Sequence, residues 1–192
     1  MLDQLEIMAS KLNLPEDVKA RAVMIYTNAY KEHPVYGRHL IAFQVASIYA
    51  ACKERKLPLT LDKITFITTQ RYRTIRTEVR RAYWRINTIL KLRIANLKAE
   101  DYIDTFCSTL KLSGKVKEAA KAIVKDIEKE GLTNGRKPTV VAATAIYIAA
   151  ILEGEKRKQL TIASVANVSD LAMRQLLKKI FENPKYKVKG VK

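Results

Sequence analysis

Apolar residues recur at three- and four-residue intervals along this chain, the spacing that gathers side chains on one face of an α-helix. Leu5, Met8 and Leu12 form a first stripe. Pro15, preset for a first helical turn and followed by Glu16 and Asp17, opens a second helix with the face Val18, Ala22, Ile25 and Ala29. The stretch from His33 to His39, with Pro34 and Gly37, breaks the pattern. A third helix carries Ile41, Val45, Ile48 and Cys52, and its Ala42, Ala46, Ala50 and Ala51 let neighbouring helices approach closely. A short fourth helix holds Leu61, Ile64 and Ile67, and a fifth lines up Ile75, Val79, Ala82, Ile86 and Ile89 in one seam. No alternating strand pattern bounded by hairpin turns occurs.

The second half repeats the first. At a constant shift of 98 residues, without a gap, Leu12 falls on Leu110, Val18-Lys19 on Val116-Lys117, Gly37-Arg38 on Gly135-Arg136 and Ile48-Tyr49 on Ile146-Tyr147. A unit of that length is too long for a solenoid repeat, so it reads as two similar domains in tandem. In the copy, Val116, Ala120, Ile123 and Ile127 share a face. Pro138 starts an alanine-rich helix through Ala150, and two further helices run over residues 159–166 and 170–181. The expected fold is therefore all-α, with five helices in residues 1–92, a charged linker at 93–100, five helices in 101–182 and a basic tail at 183–192.

A composition of 48% hydrophobic and 29% charged residues fits a soluble globular chain. The longest aliphatic run, from Val140 to Leu152, is too short to span a bilayer and is interrupted by Thr144 and Tyr147, so no membrane role is expected. No signal-peptide pattern opens the chain. Cys52 and Cys107 are expected to stay reduced, and two cysteines are too few for a structural zinc site.

Charge changes the picture more. Lys and Arg total 36 against 19 acidic residues, a formal net charge of +17. Residues 1–96 carry 17 basic and 8 acidic side chains, and residues 97–192 carry 19 and 11, so the excess is built into both halves. Such a field favours a polyanion, either nucleic acid or an acidic protein surface. Catalysis finds no support. The two histidines, His33 and His39, have no counterpart in the copy, and no phosphate loop, metal-ligand cluster or nucleophile elbow occurs. No catalytic, cofactor-binding or metal residue is assigned, and the chain is not expected to be an enzyme.

Residues 162–180 read as helix, tight turn, helix. Ala163 and Ala166 permit close packing, Asn167 tolerates a left-handed turn, Ser169 can cap the next helix and Asp170 complements its positive end. Met173, Leu177 and Ile180 face inward there, while Leu171, Arg174 and Lys178 face outward together. An arginine beside an apolar side chain at a helix N-terminus suits major-groove reading, since arginine can bond two acceptors on guanine. The same pattern also serves as a plain αα-corner. The matching face in the first half is Arg73, Arg76 and Arg80, ringed by Arg71, Arg81 and Arg85, which points to phosphate or acidic-protein contact. Tyr72, Tyr83 and Trp84 interleave with these and are given no stacking role. Gly37-Arg38 and Gly135-Arg136-Lys137, each before a central helix, read either as backbone-phosphate clamps or as turn glycines with solvated cations.

The chain resembles the core of the archaeal transcription factor B and eukaryotic transcription factor IIB family, a pair of cyclin-fold repeats. In the first half the resemblance rests on Tyr36-Gly37-Arg38, Ile48-Tyr49-Ala50-Ala51-Cys52 and Pro58-Leu59-Thr60-Leu61-Asp62-Lys63-Ile64. In the second it rests on Lys111-Leu112-Ser113-Gly114-Lys115-Val116, Gly131-Leu132-Thr133-Asn134-Gly135-Arg136-Lys137-Pro138-Thr139 and Val168-Ser169-Asp170-Leu171-Ala172-Met173-Arg174-Gln175. It implies a non-catalytic general initiation factor core, acting as a monomer, that binds the TATA-binding protein on double-stranded promoter DNA and helps position RNA polymerase. In such cores the second-repeat helix-turn-helix reads an element upstream of TATA, at positions matching Leu171, Ala172 and Arg174; the family usually has valine and threonine at the first two. By the same resemblance Gly37 and Arg38 approach DNA downstream, and Arg73, with Arg76 near it, meets the TATA-binding protein. The family's N-terminal zinc ribbon has no counterpart here, so the chain is expected to correspond to the core without it. Such a factor is cytoplasmic in archaea and nuclear in eukaryotes. Two alternatives stand beside this reading: a cyclin-like module binding only proteins, and a truncated relative that regulates initiation.

Overall fold

Helical periodicity and small residues at the contact points decide the packing of this chain. The computed structural model describes residues 2–69, 72–92, 94 and 96–183, excluding the side chains at 2, 38, 72 and 73; these residues form ten α-helices and no strand. They divide into two units, Met1–Asn96 and Leu97–Lys192. Arg71, most of the basic tail, and the side chains of Arg38 and Arg73 lie outside the described residues.

The first unit contains α1 (Leu2–Lys11), α2 (Glu16–Glu32), α3 (Arg38–Glu54), α4 (Leu61–Thr68) and α5 (Tyr72–Leu90). The other four pack around α3, which buries Ala42, Phe43, Val45, Ala46, Ile48, Ala50, Ala51 and Cys52. A helix enclosed this way must be apolar nearly all round, and its alanines let α2 and α5 approach. The one hydroxyl on the buried run is satisfied locally: Ser47 donates to the Phe43 carbonyl at 2.9 Å. Arg21 of α2 clamps Glu54 at the end of α3 through two hydrogen bonds, of 2.6 and 3.0 Å. That bond raises the pKa of the guanidinium.

The second unit repeats the plan with α6 (Ala99–Leu110), α7 (Gly114–Lys129), α8 (Pro138–Leu152), α9 (Gln159–Ala166) and α10 (Asp170–Glu182). Pro138 occupies the first turn of α8, the helix at the centre of this unit. Thr144, inside the core, donates to Val140 O at 2.8 Å. Leu97 and Ala99 are buried in this core, so the unit reaches back into the stretch read from sequence as linker. The two tandem five-helix units are thus all-α among the described residues.

Leu12, Ile41, Leu61 and Ile89 of the sequence stripes are only half-buried, and α7 and α4 depart further. On α7 Val124 is buried and Ile123 only half-buried, so the buried face is turned toward the Val124 side of the stripe. On α4 Ile67 is exposed, and Thr65 and Thr68 are buried instead. Their hydroxyls bond back to Leu61 O at 2.7 Å and Ile64 O at 2.8 Å, so burying them leaves no donor unmatched.

Cys52 and Cys107 are free and buried, each in a different unit. Burial pushes the thiols up to about 12 and about 11, so almost no thiolate exists at neutral pH. A maleimide reagent at pH 7.5 is therefore expected to leave the native protein unlabelled and to label both cysteines in denaturant. Rapid native labelling would contradict this packing. No described helix is long and apolar enough to cross a membrane.

Candidate nucleic-acid interface

The turn between α9 and α10 is built as its residues dictate. Asn167 adopts the left-handed conformation (φ 52°, ψ 48°), and Val168 N bonds Ala163 O at 3.0 Å to close α9. Ser169 caps α10, its hydroxyl accepting from Ala172 N at 3.2 Å. Ile162, Ala163 and Ala166 on α9 and Met173, Leu176, Leu177 and Ile180 on α10 are buried. This is a helix-turn-helix with both inner faces seated in the core of the second unit. Replacing Ser169 with alanine is expected to cost about 1 kcal/mol, read as a lower denaturation midpoint of the second unit, with Ser169→Asp largely restoring it.

On the outer face of α10, Leu171 is 65% exposed and the side chains of Arg174 and Lys178 are 67% and 80% exposed. Ala172 is half-buried against the core. Arg174 forms an ion pair with Asp170 one turn earlier, and Lys178 lies 3.9 Å from Glu182. The Lys178–Glu182 pair is exposed at both ends and worth roughly 0.3–0.5 kcal/mol, so that cation can be redirected to a ligand at little cost, whereas Arg174 has to leave a half-buried carboxylate.

The loop before α8 is fastened to the same helix. Arg136 Nη1 donates to Gln175 Oε1 at 3.1 Å, and Lys179 Nζ donates to Leu132 O at 3.2 Å. The two basic elements predicted separately, the loop and α10, therefore meet. Lys137 is the N-cap of α8 and its side chain makes no capping bond. Gln175 and Lys179 were not singled out from sequence; their i,i+4 spacing on α10 was the available signal, but their partners lie more than 35 residues away.

In the first unit Gly37 is the N-cap of α3, with φ 60° and ψ −132°. A Cβ there would meet nothing within 4 Å, so backbone conformation alone selects glycine. Arg76 is engaged within the unit, donating twice to Asp62, at 2.6 and 3.0 Å, and joining α5 to α4. Arg80 is exposed and makes no ion pair among the described residues. Arg85 Nη1 lies 2.9 Å from His33 Nε2, and His39 Nδ1 lies 3.8 Å from Glu78. Among the described residues no group of His, Cys, Asp and Glu is placed to hold a metal ion.

The model of the transcription factor TFIIB repeat matches residues 2–83 and again residues 94–183, one repeat in each unit. The chain belongs to the TFIIB repeat family. A transcription initiation factor IIB of Thermoplasma volcanium, numbered 1, is 41% identical over 187 residues, 97% of this chain and 59% of that protein. The transcription initiation factor IIB of Archaeoglobus fulgidus is 40% identical over 181 residues, 94% of this chain and 54% of its own length. That of Methanococcus maripaludis strain C7 is 39% identical over 182 residues, 95% and 52% respectively. The chain thus spans between 52% and 59% of these relatives. The resemblance read from the two sets of motifs is that of a true family member.

Proposed function

We propose that this chain acts in transcription initiation, its two units binding promoter DNA together with the TATA-binding protein and helping to position RNA polymerase. The observation that carries this reading is the capped α10 of a TFIIB repeat, presenting Leu171, Arg174 and Lys178 outward beside a tethered basic loop. In this reading Leu171, Ala172 and Arg174 approach base edges upstream of TATA. Lys178, Arg136 and Lys137 bind phosphates there, and Gly37 and Arg38 meet the backbone downstream. Arg73 and Arg76 face the TATA-binding protein; Arg76 would have to exchange Asp62 for its new partner. The names of the relatives support a role in initiation, and a formal charge of +17 supports a polyanionic partner.

Binding to a complex of promoter and TATA-binding protein should weaken linearly in log–log form as salt rises, losing about 0.9 in slope for each phosphate neutralised. A gel-shift salt series with wild type and Lys137→Ala tests this, the variant being expected to reduce the slope by about 1. A salt-independent association would refute the phosphate contacts.

A further inference from the structure

A cleft of about 440 Å³ lies in the first unit, between α3, α4, α5 and the chain that follows α5. Along α5, Arg80, Tyr83, Trp84 and Asn87 line it at helical spacing, and Tyr49 and Lys53 face them from α3. Trp84 is the one tryptophan of the chain and is 63% exposed, unusual for so large an apolar ring. Its neighbour Tyr83 is fixed edge-on against Tyr49, with ring centroids 4.8 Å apart, and lies 6.0 Å from the Trp84 ring. The wall behind the indole is therefore rigid.

One polar group of the cleft is left open. Asn87 Oδ1 is buried and has no hydrogen-bond partner, a costly state for an acceptor unless a ligand supplies a donor. Lys53 stands 5.8 Å from the Tyr49 ring centroid, and burial lowers its pKa, as expected for an ammonium short of water and counter-charge. Asp62 is the acid in this cleft, and Arg76 already bonds both of its oxygens, so it does little to neutralise Lys53 or Arg80.

We propose that this cleft binds an unpaired nucleotide of single-stranded DNA, with the base stacked on Trp84, a base donor on Asn87 Oδ1, and the flanking phosphates on Arg80 and Lys53. A flat π-face, a hydrogen-bond donor and an anion are needed together, and a nucleotide supplies all three. Duplex DNA cannot, because its bases are stacked and paired inside the helix. An acidic peptide brings the charge without an obligatory flat ring. The site is formed by first-unit residues alone, and the proposal does not rest on the role proposed for α10.

As the sole tryptophan, Trp84 reports on its own occupancy. The full chain is titrated with a short single-stranded oligodeoxynucleotide, an abasic strand of equal phosphate number, the matching duplex and polyglutamate, following indole fluorescence. The single strand is expected to quench Trp84 and bind about tenfold more tightly than the abasic strand. Binding of a labelled strand should fall roughly 5- to 150-fold in Trp84→Ala, with Trp84→Phe largely restoring it. It should fall roughly 2- to 12-fold in Asn87→Ala. Arg174→Ala should leave the quenching unchanged, which separates failure here from failure of promoter reading. Equal binding of the abasic strand, equal quenching by duplex or polyglutamate, or an inert Trp84→Ala would overturn the proposal.

Discussion

Truncating Ile146 to alanine is expected to destabilise the second unit by about 2–5 kcal/mol. Ile146 is fully buried near the middle of α8, and its helix neighbours Ala142, Ala143, Ala145, Ala149 and Ala150 are buried with it. The residues one turn away on α8, Ala142, Ala143, Ala149 and Ala150, are too short to fill the hole, so part of the cavity persists. A domain of this size holds only about 5–15 kcal/mol in total, so such a loss is a large fraction of its stability. Denaturant unfolding followed by amide exchange should show protection disappearing first across α6 to α10. As a control, Leu160→Ala removes a side chain that is 70% exposed and should stay within about 0.5 kcal/mol of wild type. Equal costs at the two positions would mean that α8 is not the centre of the core.

Replacing Arg174 with alanine should weaken promoter binding by about 1–3 kcal/mol and flatten discrimination among sequences upstream of TATA. The guanidinium sits one turn into a helix whose N-terminus is capped, on a face left open by the core. To read a base it exchanges its resident partner, the half-buried Asp170, for two acceptors on a guanine edge. Lys178→Ala provides the contrast. If, as proposed, its ammonium contacts phosphate alone, removing it should weaken binding to all sequences alike and lower the salt slope by about 1. Binding measured over a panel of upstream variants distinguishes the two. A uniform loss for Arg174→Ala would remove it from base reading.

Much of this architecture was legible because it depends on local rules. The spacing of Val116, Ala120 and Ile127 states a helix face directly, and Asn167, Ser169 and Asp170 encode a turn and cap through their own backbone preferences. The shift of 98 residues carries over to the structure: α2, α4 and α5 start that far before α7, α9 and α10. The central helix breaks the rule, since α3 starts at Arg38 and α8 at Pro138, where proline sets the first turn.

What sequence could not show were pairings between elements. Arg76 and Asp62 are 14 residues apart, and Arg136 and Gln175 are 39 apart. Periodicity places each on an outward face but does not say which side chain of another helix it meets. Trp84 illustrates the same point. Between Tyr83 and Arg85 its spacing is ambiguous, and only the packing of Tyr83 on Tyr49 leaves the indole outside.

Titrating the full chain at low ionic strength into a preformed complex of TATA-binding protein and promoter DNA decides whether two TFIIB repeats grip bent DNA together with the protein that bends it. A discrete, slower-migrating ternary complex is expected, formed more tightly than with either component alone. Failure to shift that complex, or binding to the TATA-binding protein that DNA does nothing to improve, would contradict it.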